Sequence, residues 1–144
     1  MTDPVRFKRA ALIVGDLDRA LALYRDALGF RLQSIKLSAS DSYSYEIFGI
    51  DPGATMRMAA LDGPDGQERT LALIEVVPSP PKLSRPSAAT VIEVADIGAA
   101  LDRIATLDGV TVLPERPLHT HDGRIGREVG VIDADGHAAV LYRV

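Results

Sequence analysis

Apolar and polar positions in this chain switch from a strand rhythm to a helix rhythm, and they do so twice. Phe7 to Val14 predicts a strand whose core, Ala10-Ala11-Leu12-Ile13-Val14, is apolar at every position, as in a strand covered on both faces. The run stops at Gly15-Asp16, and Asp16 or Asp18 can accept hydrogen bonds from the first free amides of a helix. Leu17, Ala20, Leu21, Tyr24 and Leu28 then form one helical stripe, which Gly29 closes. Phe30 to Leu37 alternates as a strand, and Tyr43 to Phe48 predicts a helical turn ended by Gly49. Ala54 to Leu61 is an alternating strand and Thr70 to Val77 a long apolar one, with Gly63-Pro64-Asp65-Gly66 as the turn between them.

Eighty positions on, the same signals return: Val14-Gly15-Asp16-Leu17, Ala20-Leu21 and Gly29-Phe30 are matched by Val94-Ala95-Asp96-Ile97, Ala100-Leu101 and Gly109-Val110. A repeat of this length indicates two equivalent modules rather than a solenoid of short units. Between them runs Pro78-Ser79-Pro80-Pro81-Lys82-Leu83-Ser84-Arg85-Pro86, an extended connector by its proline content. The expected organisation is one domain over 1–144, with module one at 5–77, the connector at 78–86 and module two at 87–144. Module two predicts a strand Thr90 to Val94, a helix Ile97 to Leu107 and a strand Val110 to Leu113. A loop through His119-Thr120-His121-Asp122-Gly123 follows, then strands Gly126 to Ile132 and His137 to Arg143 joined by the turn Asp133-Ala134-Asp135-Gly136.

Composition narrows the partners. A chain of 144 residues buries ~70% of its unfolded surface in one compact unit. A net charge of −4 with scattered Lys and Arg argues against a nucleic-acid partner, which needs a clustered basic face. No run approaches the ~18 apolar residues of a membrane span, and Met1-Thr2-Asp3-Pro4-Val5-Arg6 has no apolar leader stretch. The absence of cysteine leaves no disulfide and no thiolate chemistry. A cytoplasmic protein without nucleic-acid or membrane partners is the expectation.

The segment Arg9-Ala10-Ala11-Leu12-Ile13-Val14-Gly15-Asp16-Leu17 through Tyr24-Arg25-Asp26-Ala27-Leu28-Gly29-Phe30 resembles the opening of the vicinal oxygen chelate superfamily, the glyoxalase/bleomycin resistance/extradiol dioxygenase group. Ile132-Asp133-Ala134-Asp135-Gly136-His137 resembles that family's Asp-Pro-Asp-Gly turn, with Ala134 where Pro is usual. The resemblance covers essentially the whole chain. It implies an α+β fold of two βαβββ modules whose curved mixed sheets surround a shared, ligand-holding cup. It also implies a homodimer, in some members with modules exchanged across the pair.

The family's metal enzymes place a ligand on the first strand and on the last strand of each module. Carried over singly, these positions fall on Arg9, Glu75, Ala89 and Val140. A guanidinium cannot ligate a cation, and one carboxylate does not make a site for zinc or iron. No metal is therefore expected at the usual positions, and no cofactor. The alternative is a divalent ion (Zn, Fe, Mn or Ni) at a displaced site of Glu75, His119 and His121, since two His two apart on a strand share a face. Against it, His-Thr-His-Asp-Gly also reads as a solvated loop tip.

Glu75 sits in an apolar strand, where a carboxylate needs a partner. The resemblance makes the first and fourth strands neighbours, so Arg9 is the expected partner, and its guanidinium could take an anionic ligand group. The competing expectation is a structural pair, or Glu75 on the outer face. Tyr43, Tyr45 and Phe48 offer rings to stack on a flat ligand, and Met56 and Met58 share a face that can line an adaptable pocket. His137 is expected to orient the turn it follows. Two functions fit: a binder of a small organic ligand without chemistry, like the bleomycin-resistance branch, or a lyase, isomerase or dioxygenase-like enzyme. The enzyme would use the displaced metal site, or Glu75 as a catalytic base.

Overall fold

The computed structural model describes residues 4–144. Its first sheet is built from β1 (Ala10–Val14), β2 (Arg31–Leu37), β3 (Thr55–Asp62) and β4 (Leu71–Val77), in the order β1-β4-β3-β2. β1 runs parallel to β4 and the other pairs are antiparallel. Register assigns the faces. Ile13, Ile74 and Met58 lie abreast on one side, and Val14, Glu75 and Arg57 belong to rows on the other.

The helix stripe covers the second of these faces. Asp16 caps α1 (Leu17–Leu21) by accepting from the Arg19 amide at 3.0 Å. The helix then widens over Ala22–Ala27 into a stretch whose Leu28 amide reaches back to the Leu23 carbonyl at 3.0 Å. Leu17, Leu21, Leu23 and Tyr24 are buried there, and the Tyr24 and Phe30 rings meet edge to face at 6.4 Å. The opposite face is covered by the chain between β2 and β3, which carries the short α2 (Ser44–Ile47) and packs Tyr45 and Ile50 onto Met56, Ile74 and Val76.

The second sheet holds β5 (Ala89–Glu93), β6 (Thr111–Val112), β7 (Arg116–His119), β8 (Ile125–Ile132) and β9 (Ala138–Arg143). β5 is parallel to β9, and β8 pairs with β9, β6 and β7. Asp96 caps α3 (Ile97–Ile104) as Asp16 caps α1, accepting from the Ala99 amide at 2.9 Å. One continuous apolar core joins the modules: Leu17, Tyr24 and Leu73 belong to the same cluster as Ile97, Val129 and Leu141. Among the described residues no helix is long and apolar enough to cross a membrane.

The α+β architecture is as expected, with three local differences. β1 begins at Ala10, not Phe7, because its partner β4 begins at Leu71; Val5 and Phe7 stand exposed, and the basic run Arg6 to Arg9 is not in a strand. α3 ends at Ile104, where the Thr106 hydroxyl donates to the Arg103 carbonyl at 2.8 Å and turns the chain. Part of the expected histidine loop is strand: β7 pairs with β8 up to His119 opposite Ile125. Module two thus has five strands rather than four.

Candidate functional site

A concavity lies on the α2 side of the first sheet. It has a volume of about 620 Å³. Ile13 and Val76 supply its floor, Phe48, Ile50 and Ala54 one wall, and Pro78, Pro80, Pro81 and Leu83 of the connector another. Asp51, Asp135 and His137 are its charged or titratable members.

A buried carboxylate holds the polar end in place. Asp133 is 5% exposed. Its Oδ1 accepts from the Asp135 amide at 3.0 Å and the His137 amide at 2.8 Å, and its Oδ2 accepts from the Tyr24 hydroxyl at 2.8 Å. Burial, then the charge and hydrogen bond of Asp133, push the Tyr24 phenol far above its ordinary range, so it remains a donor. The turn so fixed presents Asp135, whose Oδ1 accepts from the Gly15 amide at 2.9 Å and from Arg19 at 3.0 Å. His137 Nε2 lies 2.7 Å from the Ile13 carbonyl. A carbonyl only accepts, so Nε2 carries a proton, and in the neutral ring Nδ1 is an acceptor. His137 thus ties the turn to β1. The connector is tied to the same turn by the Leu83 amide, which donates to the Asp135 carbonyl at 3.0 Å.

Of the residues expected at the site, Phe48 alone lines this cavity. Tyr43 is exposed, while the Tyr45 hydroxyl donates to the Ala54 carbonyl at 2.7 Å behind the wall. Met56 is fully buried and Met58 partly so, both in the packing beneath. Glu75 and Arg9 do not meet. Arg9 is exposed, donates to the Arg69 carbonyl at 3.1 Å, and borders a separate recess of about 430 Å³ with Phe7, Ala89 and His137. Glu75 takes the α1 face, opposite Arg57 in the β3–β4 register. Arg57 Nε donates to its Oε1 at 2.7 Å and the Leu17 amide to its Oε2 at 2.6 Å. The Arg57 hydrogen bond, helped by the Leu17 amide and outweighing partial burial, lowers the Glu75 pKa. Glu75 is thus a structural ion-paired cap, turned away from the cavity, and not placed to act as a base there.

The displaced metal site is likewise not assembled. His119 ends β7 in the second sheet and His121 lies in the turn after it, where the Thr120 amide bonds the Arg124 carbonyl, while Glu75 belongs to the first sheet. The two His are not on one extended strand, so the shared-face expectation lapses. Among the described residues no three His, Asp or Glu side chains gather in a metal-holding group. Arg9, Ala89 and Val140 offer no anionic or imidazole donor, so the residues present do not fit the family's ion.

Sequence reasoning missed Ile13, Asp51, Val76, the prolines and Asp135 as a lining set. It also missed a polar row on the open face of the second sheet. The Tyr142 hydroxyl donates to Glu93 at 3.0 Å, and Glu128 lies opposite Tyr142. By register these three occupy the places that Ile13, Ile74 and Met58 hold in the first sheet. The eighty-residue offset contains that signal, since Glu93 stands eighty positions after Ile13.

The comparisons with known proteins agree with this architecture. A glyoxalase family protein from Bacillus cereus is 16% identical with a TM-score of 0.72, covering 98% of this chain and 95% of its own. The fosfomycin resistance protein FosX from Listeria monocytogenes, solved with Mn(II) and sulfate, is 16% identical with a TM-score of 0.60, covering 100% of this chain and 94% of its own. The trypanothione-dependent glyoxalase I of Leishmania major is 18% identical with a TM-score of 0.64, covering 96% of this chain and 86% of its own. At these identities the likeness is one of fold. No curated protein matches the chain in sequence. The sequence profile of the glyoxalase/bleomycin resistance protein/dioxygenase superfamily matches residues 6–141, and the chain belongs to that superfamily.

Proposed function

We propose that this protein binds a small organic ligand in the cavity between the β2–β3 segment, the proline connector and the Asp133–Gly136 turn. The observation that carries this reading is the cavity itself. Its volume of about 620 Å³ falls within the ~300–1,000 Å³ of small-molecule sites, and its walls are mainly apolar with a few fixed polar groups. The ligand's body would lie against Phe48, Ile50 and Val76. The enzyme reading with Glu75 as base has less support, because Glu75 is ion-paired on the opposite face. The working setting is a cytoplasmic homodimer, in which a second copy would cover exposed apolar side chains such as Leu37 and Val91.

The test uses the neutral fluorophore N-phenyl-1-naphthylamine. Saturable binding near one molecule per chain is expected, and Ala54→Phe, which fills the cavity, should abolish it while the variant still unfolds cooperatively. Equal binding by the filled variant would refute the reading.

A further inference from the structure

From the donor and acceptor inventory of this cavity we infer that its ligand is a hydrogen-bond donor with an apolar body, an organic amine in its protonated form, rather than an anion. The inference rests on the ligand-binding reading above and adds the chemical class of the ligand. Asp51, Asp135 and His137 are the polar side chains in the lining, and none of the lining residues is Lys, Arg, Ser, Thr, Asn, Gln or Tyr. Carboxylates only accept, and the Nε2–H of His137 is spent on the Ile13 carbonyl. The connector wall repeats the bias: Pro78, Pro80 and Pro81 have carbonyls but no N–H.

Arg19 does not reverse the sign. It is held on Asp135 Oδ1, which it shares with the Gly15 amide, and among the described residues no donor reaches Asp135 Oδ2. Asp51 Oδ1 accepts from the Gly53 amide at 2.8 Å, so its second oxygen keeps its lone pairs. Lys82, the connector's own lysine, is exposed and lies between two lining residues without joining them. An anion entering here would lose water and meet two carboxylates with no cationic or hydroxyl side chain in the lining, whereas an ammonium group would exchange water for charged acceptors. The expectation of an anionic ligand on Arg9 belongs to the other side of His137, in the smaller recess.

The experiment titrates the whole chain at pH 7 with three matched probes, 1-naphthylmethylamine, 1-naphthylmethanol and 1-naphthoate, by calorimetry. The amine is expected to bind at least tenfold more tightly than the carboxylate, with the alcohol between them. Asp135→Asn and Asp51→Asn, which keep an acceptor for Gly15 and Gly53, should each reduce the amine's advantage over the alcohol and the carboxylate. A carboxylate that binds in the cavity as tightly as the amine overturns the inference and leaves the binding reading standing. Binding by none of the three overturns both. An amine preference unchanged in both Asn variants also overturns the inference, because the selectivity would then arise elsewhere.

Discussion

Asp133 is the side chain on which the polar end of the cavity depends, because one buried carboxylate gathers the Asp135 and His137 amides and the Tyr24 hydroxyl. Tyr24→Phe keeps the ring packing and removes one donor from a buried charge. It is expected to cost about 1–3 kcal/mol in urea unfolding, with the cavity intact in shape. Glu75 gives a pH signature instead. Its native carboxyl lies below the ordinary value of about 4.3, so the native state keeps it ionised where the unfolded chain takes up a proton. Its contribution is full above about pH 4.3 and fades as pH falls through the lowered native value. Glu75→Gln should therefore be less stable than the parent at pH 7 in urea, and the gap should shrink at pH 3. A gap of constant size would show that the Arg57 pairing adds nothing. The sequence shows that Glu75 needs a partner, but the expected one, Arg9, is not the one it finds. Leu71 to Val77 is apolar on both sides of Glu75, so no alternation tells which face it takes, and only the register with β3 makes Arg57 the partner.

At the scale of elements, the strands and capped helices were legible because each rests on local signals, Asp16 and Asp96 before the apolar stripes being the clearest. β7 was not legible. Its four residues Arg116–His119 include a proline and have no apolar alternation, and its pairing with β8 is what makes it a strand. The connector was legible as extended, but its docking was not, since Leu83 is held by a turn some fifty residues later. Gly136 shows how tight that docking is. It has φ +93°, and an added Cβ would stand 2.7 Å from the Leu83 carbonyl oxygen. Gly123 has φ +84° with nothing within 4 Å. Gly123→Ala should cost only the backbone strain, about 1–2 kcal/mol. Gly136→Ala should cost more and weaken ligand binding as well, because Leu83 borders the cavity. Thermal unfolding and fluorophore titration of both variants check this; equal losses in the two would mean that the connector yields freely.

The whole molecule puts two unlike modules on one core. The places filled by Ile13, Ile74 and Met58 in the first sheet are Glu93, Tyr142 and Glu128 in the second, so the repeat preserves the scaffold while the corresponding faces of the two sheets differ in chemistry. The cavity draws on β1, the β2–β3 segment, the connector and the Asp133–Gly136 turn. Such a lining set has no local spacing in the sequence, which is why Asp135 could not be read there as part of it. The most direct measurement is an amide ¹H–¹⁵N NMR titration of the labelled protein with 1-naphthylmethylamine. The account predicts shifts concentrated at Phe48, Ile50, Ala54, Val76 and His137. Shifts confined to Phe7, Arg9 and Ala89, or to Val91 and Tyr142 on the second sheet, would contradict it.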